Sequence, residues 1–260
     1  LITGHKDLVN KKAKLVISDI SNVKRISKLL KKQNFDIVLH FAGLIRVDES
    51  VKIPKKYLNN NFNKSKIFLK LCYENGINKV IFSSTASVYG NSKKPKVSEK
   101  DRVKPTNPYA RSKILFEKYL LKTSKTHNIK FVILRYFNVA GADLKSRTGL
   151  ISKYSTHLIK IACEVAVNKR KKLVINGSNY NTADGTPVRD YIHVSDLAEA
   201  HIKAMDALQE NKGVITCNLG TGKGSSVLEV INVFEEVTGI KIPFQLADRR
   251  PGDVVEAWAN

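Results

Sequence analysis

Cysteine, methionine and tryptophan are scarce: the 260 residues hold three, one and one of them. Cys72, Cys163 and Cys217 lie far apart, so a disulfide scaffold and a clustered zinc site are excluded, and the three read as reduced core residues. Long apolar runs are missing too. None approaches the ~20 residues that cross a bilayer, so no membrane partner is expected. Lys6 and Asp7 interrupt the place where a signal peptide would be apolar, and a cytoplasmic location is expected. Glycine is absent between Gly4 and Gly43. A dinucleotide-gripping loop needs three closely spaced glycines between a first strand and a helix, so the opening "LITGH" is not one. Acids are few, with 23 Asp and Glu against 45 Lys and Arg and a net charge of +22. The excess is mostly lysine spread along the whole chain, with short runs such as "KRKK" at 169–172 and no nucleic-acid-binding motif. It reads as a solvated surface, and no nucleic-acid partner is expected.

What is present is an alternation of apolar β-branched runs and helical periods. Residues 14–18, 36–41, 79–84 and 130–137 read as strands. Val23, Ile26, Leu29 and Leu30 mark a helix that Ser21 could cap, and 55–75 and 107–127 read as longer helices. Near-continuous apolar strands separated by helices predict an α/β fold, a doubly wound parallel (Rossmann-like) sheet covered on both faces. After Gly141 the texture changes. A helix is predicted over about 151–168, a strand over 172–177, a turn-rich loop over 179–187, then strand and helix, and a strand with a Gly-rich loop over 213–224. We expect residues 1–139 to form the Rossmann-like domain and 140–260 a smaller mixed α/β substrate lobe, with 190–222 returning to the first sheet. Ligands of such sheets bind at the carboxyl ends of the strands.

"NPYARSK" at 107–113 carries the strongest chemical signal. Tyr109 and Lys113 stand four apart and share a helix face, with Pro108 suited to the first turn and Asn107 to the cap. A tyrosine with a pKa of about 10 is a poor base at neutral pH. A neighbouring ammonium favours the phenolate, and moving the pKa by ~3 units takes about 4 kcal/mol of differential interaction. The spacing recurs at Tyr89 and Lys93, where Gly90 indicates a loop, so that copy reads as a decoy. "FSSTASVYG" at 82–90 places hydroxyls at the end of a buried strand, where they either meet a ligand or bond the backbone. His40 and His193 sit in apolar strands and read as satisfied core histidines.

Strand-end Ser/Thr together with a helical Tyr-x-x-x-Lys resembles the extended short-chain dehydrogenase/reductase family. The stretches "SSTASVYG", "NPYARSK", "LRYFNVAGA", "DGTPVRDYIHVSDLAEAH", "CNLGTGKGSSVLEVI" and "RRPGD" follow the order of its hexose 4-epimerase branch over nearly the whole chain. The resemblance implies NAD-dependent epimerisation at C4 of a UDP-hexose through a 4-keto intermediate. Thr85, Tyr109 and Lys113 take the catalytic positions. Asp19, Ile20, Phe41, Ala42, Gly43, Asn60, Ser83 and Tyr136, with Tyr109 and Lys113, take cofactor positions. Asn138, His157, Leu158, Arg189, Arg250, Asp253 and Ala257, with Thr85, take substrate positions. Arg189 and Arg250 suit a diphosphate as planar donors, although Arg189 also reads as a partner of Asp184 or Asp190. A homodimer through a helical face is a further implication.

The sequence departs from the family in places. The resemblance puts a strand–helix–strand unit, on the order of 30 or more residues, before Leu1, and more chain after "VEAWAN". We therefore expect an N-terminally truncated interior piece that binds no NAD and lacks epimerase activity when expressed alone. Asn176 stands where an aromatic is common in the family, so uracil stacking is not expected there; Ala257 leaves room for a 2-acetamido group, so UDP-GlcNAc or UDP-GalNAc is an expected further substrate of the intact protein. A sister 4,6-dehydratase would carry Asp-Glu after Thr85, whereas Ala86 and Ser87 follow here. An NAD-linked decarboxylase, a C5 epimerase and an inactive nucleotide-sugar-binding protein remain the alternatives.

Overall fold

A computed structural model describes residues 4–92, 94–152, 155–210 and 213–260. In chain order the elements are α1 (Val23–Lys32), β1 (Val38–His40), α2 (Val47–Lys52), α3 (Pro54–Leu58), α4 (Lys64–Glu74), β2 (Lys79–Thr85), β3 (Lys96–Val97), α5 (Pro108–His127), β4 (Lys130–Tyr136), β5 (Asn138–Ala140), α6 (Leu158–Ala166), β6 (Leu173–Asn176), β7 (Val188–His193), α7 (Val194–Gln209), β8 (Val214–Leu219), β9 (Gly224–Ser226), α8 (Val227–Thr238), β10 (Phe244–Ala247) and β11 (Glu256–Ala259).

The central sheet is parallel, in the order β1-β2-β4-β8. Strand alternation sends Val80, Phe82, Phe131 and Ile133 to one face, against Leu69 of α4 and Phe116 and Leu120 of α5. It sends Ile81, Val132 and Leu134 to the other, against Ala204 and Leu208 of α7. Both faces are covered, which is why these strands read as unbroken apolar runs. Two further sheets follow. The parallel pair β10-β6 packs under α6 and α8, and a set in the order β3-β11-β7-β5 has β9 antiparallel on β7.

Helix ends follow local chemistry. In α5 the Asn107 side chain accepts from Ala110 N at 2.8 Å, Pro108 fills the first turn, and Asn128 closes the helix at φ 49°. In α8 Ser226 and Glu229 form a reciprocal capping box.

Several expectations change. Residues 14–18 form no strand. Leu15 and Ile17 are exposed there, and an apolar run without a ladder partner or a buried face does not settle as one. Asn22 caps α1 rather than Ser21, whose hydroxyl donates to Asp19 Oδ1 at 2.6 Å. The helix expected over 55–75 is broken into α3 and α4 by a π-helical turn at Asn59–Asn63. The helix expected from about 151 starts only at Leu158, and part of that stretch, 153–154, lies outside the described residues. Cys72 is buried, with its thiol pushed up to about 12 by burial, but Cys163 is exposed on α6 and Cys217 only half-buried, so the three are not all core. Among the described residues no helix is long and apolar enough to cross a membrane. No group of three or more His, Cys, Asp or Glu that could hold a metal occurs among them.

Candidate active site

The carboxyl ends of β1, β2 and β4 open onto a cleft of about 1050 Å³, which also reaches α6, β6, β7 and the 250–253 turn. Helix α5 starts at this rim. The cap at Asn107 fixes the first turn, so Tyr109 and Lys113 project from one side of α5 and both line the cleft. They are almost wholly buried, as is Thr85 at the end of β2.

Lys113 Nζ donates to the Ser83 carbonyl at 2.7 Å and stands 5.0 Å from the Phe82 ring centroid. Burial lowers its pKa to about 8, partly opposed by the Glu117 carboxylate. The Thr85 hydroxyl is hydrogen-bonded to the Tyr109 phenol. Burial raises the tyrosine's pKa and the Thr85 bond lowers it, and the first effect is the larger. The acidification expected from Lys113 together with a cationic nicotinamide ring is not supplied by the protein's groups alone. One of the ammonium's three donors goes to a backbone carbonyl, and with burial the larger effect the phenol stays protonated in the free protein.

Tyr136 at the end of β4 directs its hydroxyl to His201 Nε2 at 2.6 Å, while His201 Nδ1 bonds the Leu197 carbonyl at 2.8 Å. That second bond makes Nδ1 the donor and Nε2 the acceptor. Burial pushes Tyr136 up to about 12, against a bond from Ser83. The Phe41 ring lies 5.0 Å from His201 and walls the cleft beyond β1.

Gly43 leaves a cradle. A Cβ there would stand 3.3 Å from Lys113 Nζ and 3.4 Å from Asn61 Oδ1, a tight fit that the bare glycine avoids. Asn61 is held by the π-helical turn, where it accepts from Leu44 N at 2.8 Å and donates to Leu44 O at 2.9 Å and to Ser112 Oγ at 3.0 Å. A dinucleotide's ribose and nicotinamide need such a bare backbone approach beside a cation and hydroxyl donors. The residues present fit NAD.

Of the other expected positions, Ser83, Asn138, His157, Leu158, Arg189, Arg250 and Asp253 also line the cleft. His157 precedes α6, and burial lowers its pKa. Arg189 donates to the carbonyls of Val188 at 2.8 Å and Val255 at 3.1 Å, and also to that of Val254. The acids it was weighed against are bonded elsewhere. Asp184 takes Thr186 and Ser226, and Asp190 takes Thr221, Gly222 and Ala259. Arg250 Nε holds Asp253 at 3.0 Å.

Asp19, Ile20, Ala42, Gly43, Asn60 and Ala257 are not among the cleft's lining residues. Asp19 pairs with Lys64 at 2.5 Å, which with Ser21 lowers its pKa to about 2. Asn60 donates to Asn61 Oδ1 at 3.1 Å. Ala257 lies in β11 opposite Arg189, packed toward Tyr89 and Val97. Of the decoy pair, Tyr89 is buried against Asn218 and Arg135, and Lys93 lies outside the described residues. His40 is buried, bonded to Ser65 Oγ at 2.8 Å and packed among Phe68, Phe82 and Phe116.

Sequence reasoning passed over Asn61, Glu117, Arg135 and His201. Two of them left a signal. Glu117 continues the Tyr109–Lys113 stripe by one more turn, and Arg135 interrupts an otherwise apolar strand.

The profile of the NAD dependent epimerase/dehydratase family matches residues 2–220. The chain is 44% identical over 253 residues to the UDP-glucose 4-epimerase of Azospirillum brasilense, covering 97% of this chain and 73% of that one. It superposes on the crystal structure of the Brucella ovis UDP-glucose 4-epimerase in complex with NAD with a TM-score of 0.94 at 36% identity, covering 99% of this chain and 79% of that one. It is also similar to the Campylobacter jejuni UDP-Glc/GlcNAc 4-epimerase, with a TM-score of 0.79 at 41% identity over 96% of this chain and 76% of that one. With its parallel sheet, its Tyr-x-x-x-Lys helix and these similarities, the chain belongs to the NAD dependent epimerase/dehydratase family, alongside the UDP-glucose 4-epimerases.

Proposed function

We propose that this cleft interconverts a UDP-hexose and its C4 epimer, with NAD as cofactor. One observation carries the reading: a buried phenol and a buried ammonium share one helix side at the strand ends, with a threonine hydroxyl bonded to the phenol. When bound, NAD would supply the redox chemistry, a reversible hydride exchange with the sugar's C4. Tyr109 Oη takes the proton of the sugar's 4-hydroxyl and later gives it back. Thr85 Oγ1 holds the reacting oxygen beside Tyr109. Lys113 holds the cofactor's ribose, and together with the cationic nicotinamide it offsets the burial that otherwise keeps Tyr109 protonated. Gly43, Phe41, Ser83 and Tyr136 surround the cofactor, with Asp19, Ile20, Ala42 and Asn60 at its further contacts. Arg189 and Arg250 face the diphosphate, with Asn138, His157, Leu158 and Asp253 on the nucleotide sugar. A cleft of about 1050 Å³ has room for such a ligand.

The acids lining the cleft, Asp48 and Asp253, are each bonded to an arginine, Arg46 and Arg250. Among the described residues that leaves no free acid pair lining the cleft to remove water, which favours epimerisation over 4,6-dehydration. The similarity to the Campylobacter jejuni UDP-Glc/GlcNAc 4-epimerase supports acceptance of 2-acetamido sugars as well, whereas Ala257, which does not line the cleft, lends that reading nothing. Ile67 on α4 and Leu121 on α5 are exposed, which supports assembly as a homodimer through those helices. The test is incubation of the full-length, NAD-loaded protein with UDP-galactose, UDP-GalNAc or UDP-glucose, with products separated by chromatography. The 4-epimers are expected. A 4-keto-6-deoxy product, or no turnover of any of the three, overturns the reading.

A further inference from the structure

Helix α5 grips the end of β2 twice. Lys113 donates to the Ser83 carbonyl at 2.7 Å, and one turn later Glu117 accepts from the hydroxyl of Ser84, the very next strand residue. Glu117 is buried and takes both of its remaining bonds from Arg135 of β4, Nη2 to Oε2 at 2.6 Å and Nε to Oε1 at 3.2 Å. Arg135 Nη1 goes on to the Tyr89 hydroxyl at 2.9 Å, which donates to Asn218 Oδ1 of β8 at 2.6 Å. One carboxylate thus ties α5 to β2 and β4, and through Arg135 to β8. It does not line the cleft.

We propose that Glu117 is a positioning residue for this site: clamped by Arg135 and Ser84, it sets the height of α5 on β2 and keeps the Lys113 ammonium charged and in place beside Tyr109. The inference rests on the reading of Tyr109 and Lys113 as the reactive pair. Of the groups around Lys113, Tyr109 shares its helix and is held protonated by burial. His40 of β1 is neutral, its pKa pushed down to about 3 by burial and by Lys113 itself. Asn61, the Ser83 carbonyl and the Phe82 ring are uncharged. Glu117 is the carboxylate that opposes the desolvation of Lys113. A buried pair kept only for stability would be replaceable by packed apolar groups. Here one member also supports the charge on the residue one turn away.

The experiment titrates Lys113 directly, without cofactor or substrate. Protein carrying ε-13C-lysine is followed by NMR against pH, with the Lys113 signal assigned by its loss in Lys113→Met. The wild-type midpoint is expected near 8, well below the surface lysines. Glu117→Gln is expected to move it down by roughly one unit or more. Loss of one partner of a buried pair is costly, so Glu117→Gln/Arg135→Met is measured in parallel; it removes both charges and is expected to move the midpoint the same way. A folded variant of either kind with an unchanged Lys113 midpoint overturns the proposal. Because no turnover is read, this outcome is separate from the functional reading, which stands or falls on the activity of Tyr109→Phe.

Discussion

Three single residues have sharply different surroundings within one short stretch of the sheet's rim, and each makes a distinct expectation. Burial outweighs the Thr85 bond at Tyr109, so the free protein should hold that phenol protonated above its ordinary range, with NAD bringing the midpoint down. Ultraviolet difference titration of wild type against Tyr109→Phe, with and without NAD, reads this. A midpoint that NAD leaves unmoved would contradict it. His40 is neutral when folded, with a pKa of about 3, whereas an unfolded chain protonates it near pH 6.5. The unfolded state then binds the extra proton, so stability falls as pH drops from about 6.5 toward 3, by about 1.4 kcal/mol per pH unit. Relative to His40→Gln, wild type should lose about 2 kcal/mol between pH 6.5 and 5 in urea denaturation. Parallel pH curves would refute it. Gly43→Ala would put a methyl 3.3 Å from Lys113 Nζ. The ammonium would have to give by a few tenths of an ångström, well short of the ~1 Å misplacement that costs about 100-fold, so kcat/KM should fall by less than that while the thermal midpoint barely moves.

At the scale of elements, α5 is the piece on which the site hangs, and it was also the most legible. Asn107, Pro108 and the apolar spacing placed it to within a residue, and the buried runs of β2 and β4 were equally plain, since both sheet faces are covered by helices. What could not be read depends on partners distant in sequence. The short strands β3, β5, β9 and β11 exist because they pair with one another or with β7, and nothing in two to four residues announces such a pairing. The π-helical turn that aims Asn61 at Leu44 breaks a stretch whose periodicity alone looks continuous. The site was legible as a set of residue types at strand ends. Its supports were less so: Asn61 and His201 left no signal, and the helix stripe and strand interruption that mark Glu117 and Arg135 do not show that the two are partners. The cap gives a direct check: Asn107→Ala should cost about 1 kcal/mol of stability and loosen the turn that carries Tyr109. A variant as stable as wild type would mean that the Pro108 turn holds itself.

At the scale of the whole molecule, a buried polar tie joins two of the three sheets. Asp190, fully buried in β7, accepts from Thr221 N and Oγ1 at 2.7 Å, Gly222 N at 3.0 Å and Ala259 N at 3.1 Å. It thereby fastens β7 to the turn after β8 and to β11. Asp190→Ala should leave those donors unpaired and cost several kcal/mol, read as a lowered unfolding midpoint. The same tie keeps the Arg189 and Arg250 side of the cleft in register with the Tyr109 side, so substrate affinity should weaken along with stability. The most direct test of the account is the interconversion rate of Tyr109→Phe in the full-length, NAD-loaded protein with UDP-galactose. On the proposed reading of Tyr109 as the group that moves the 4-hydroxyl proton, kcat should fall by roughly 100-fold or more with the fold intact. An undiminished rate would contradict the account at its centre.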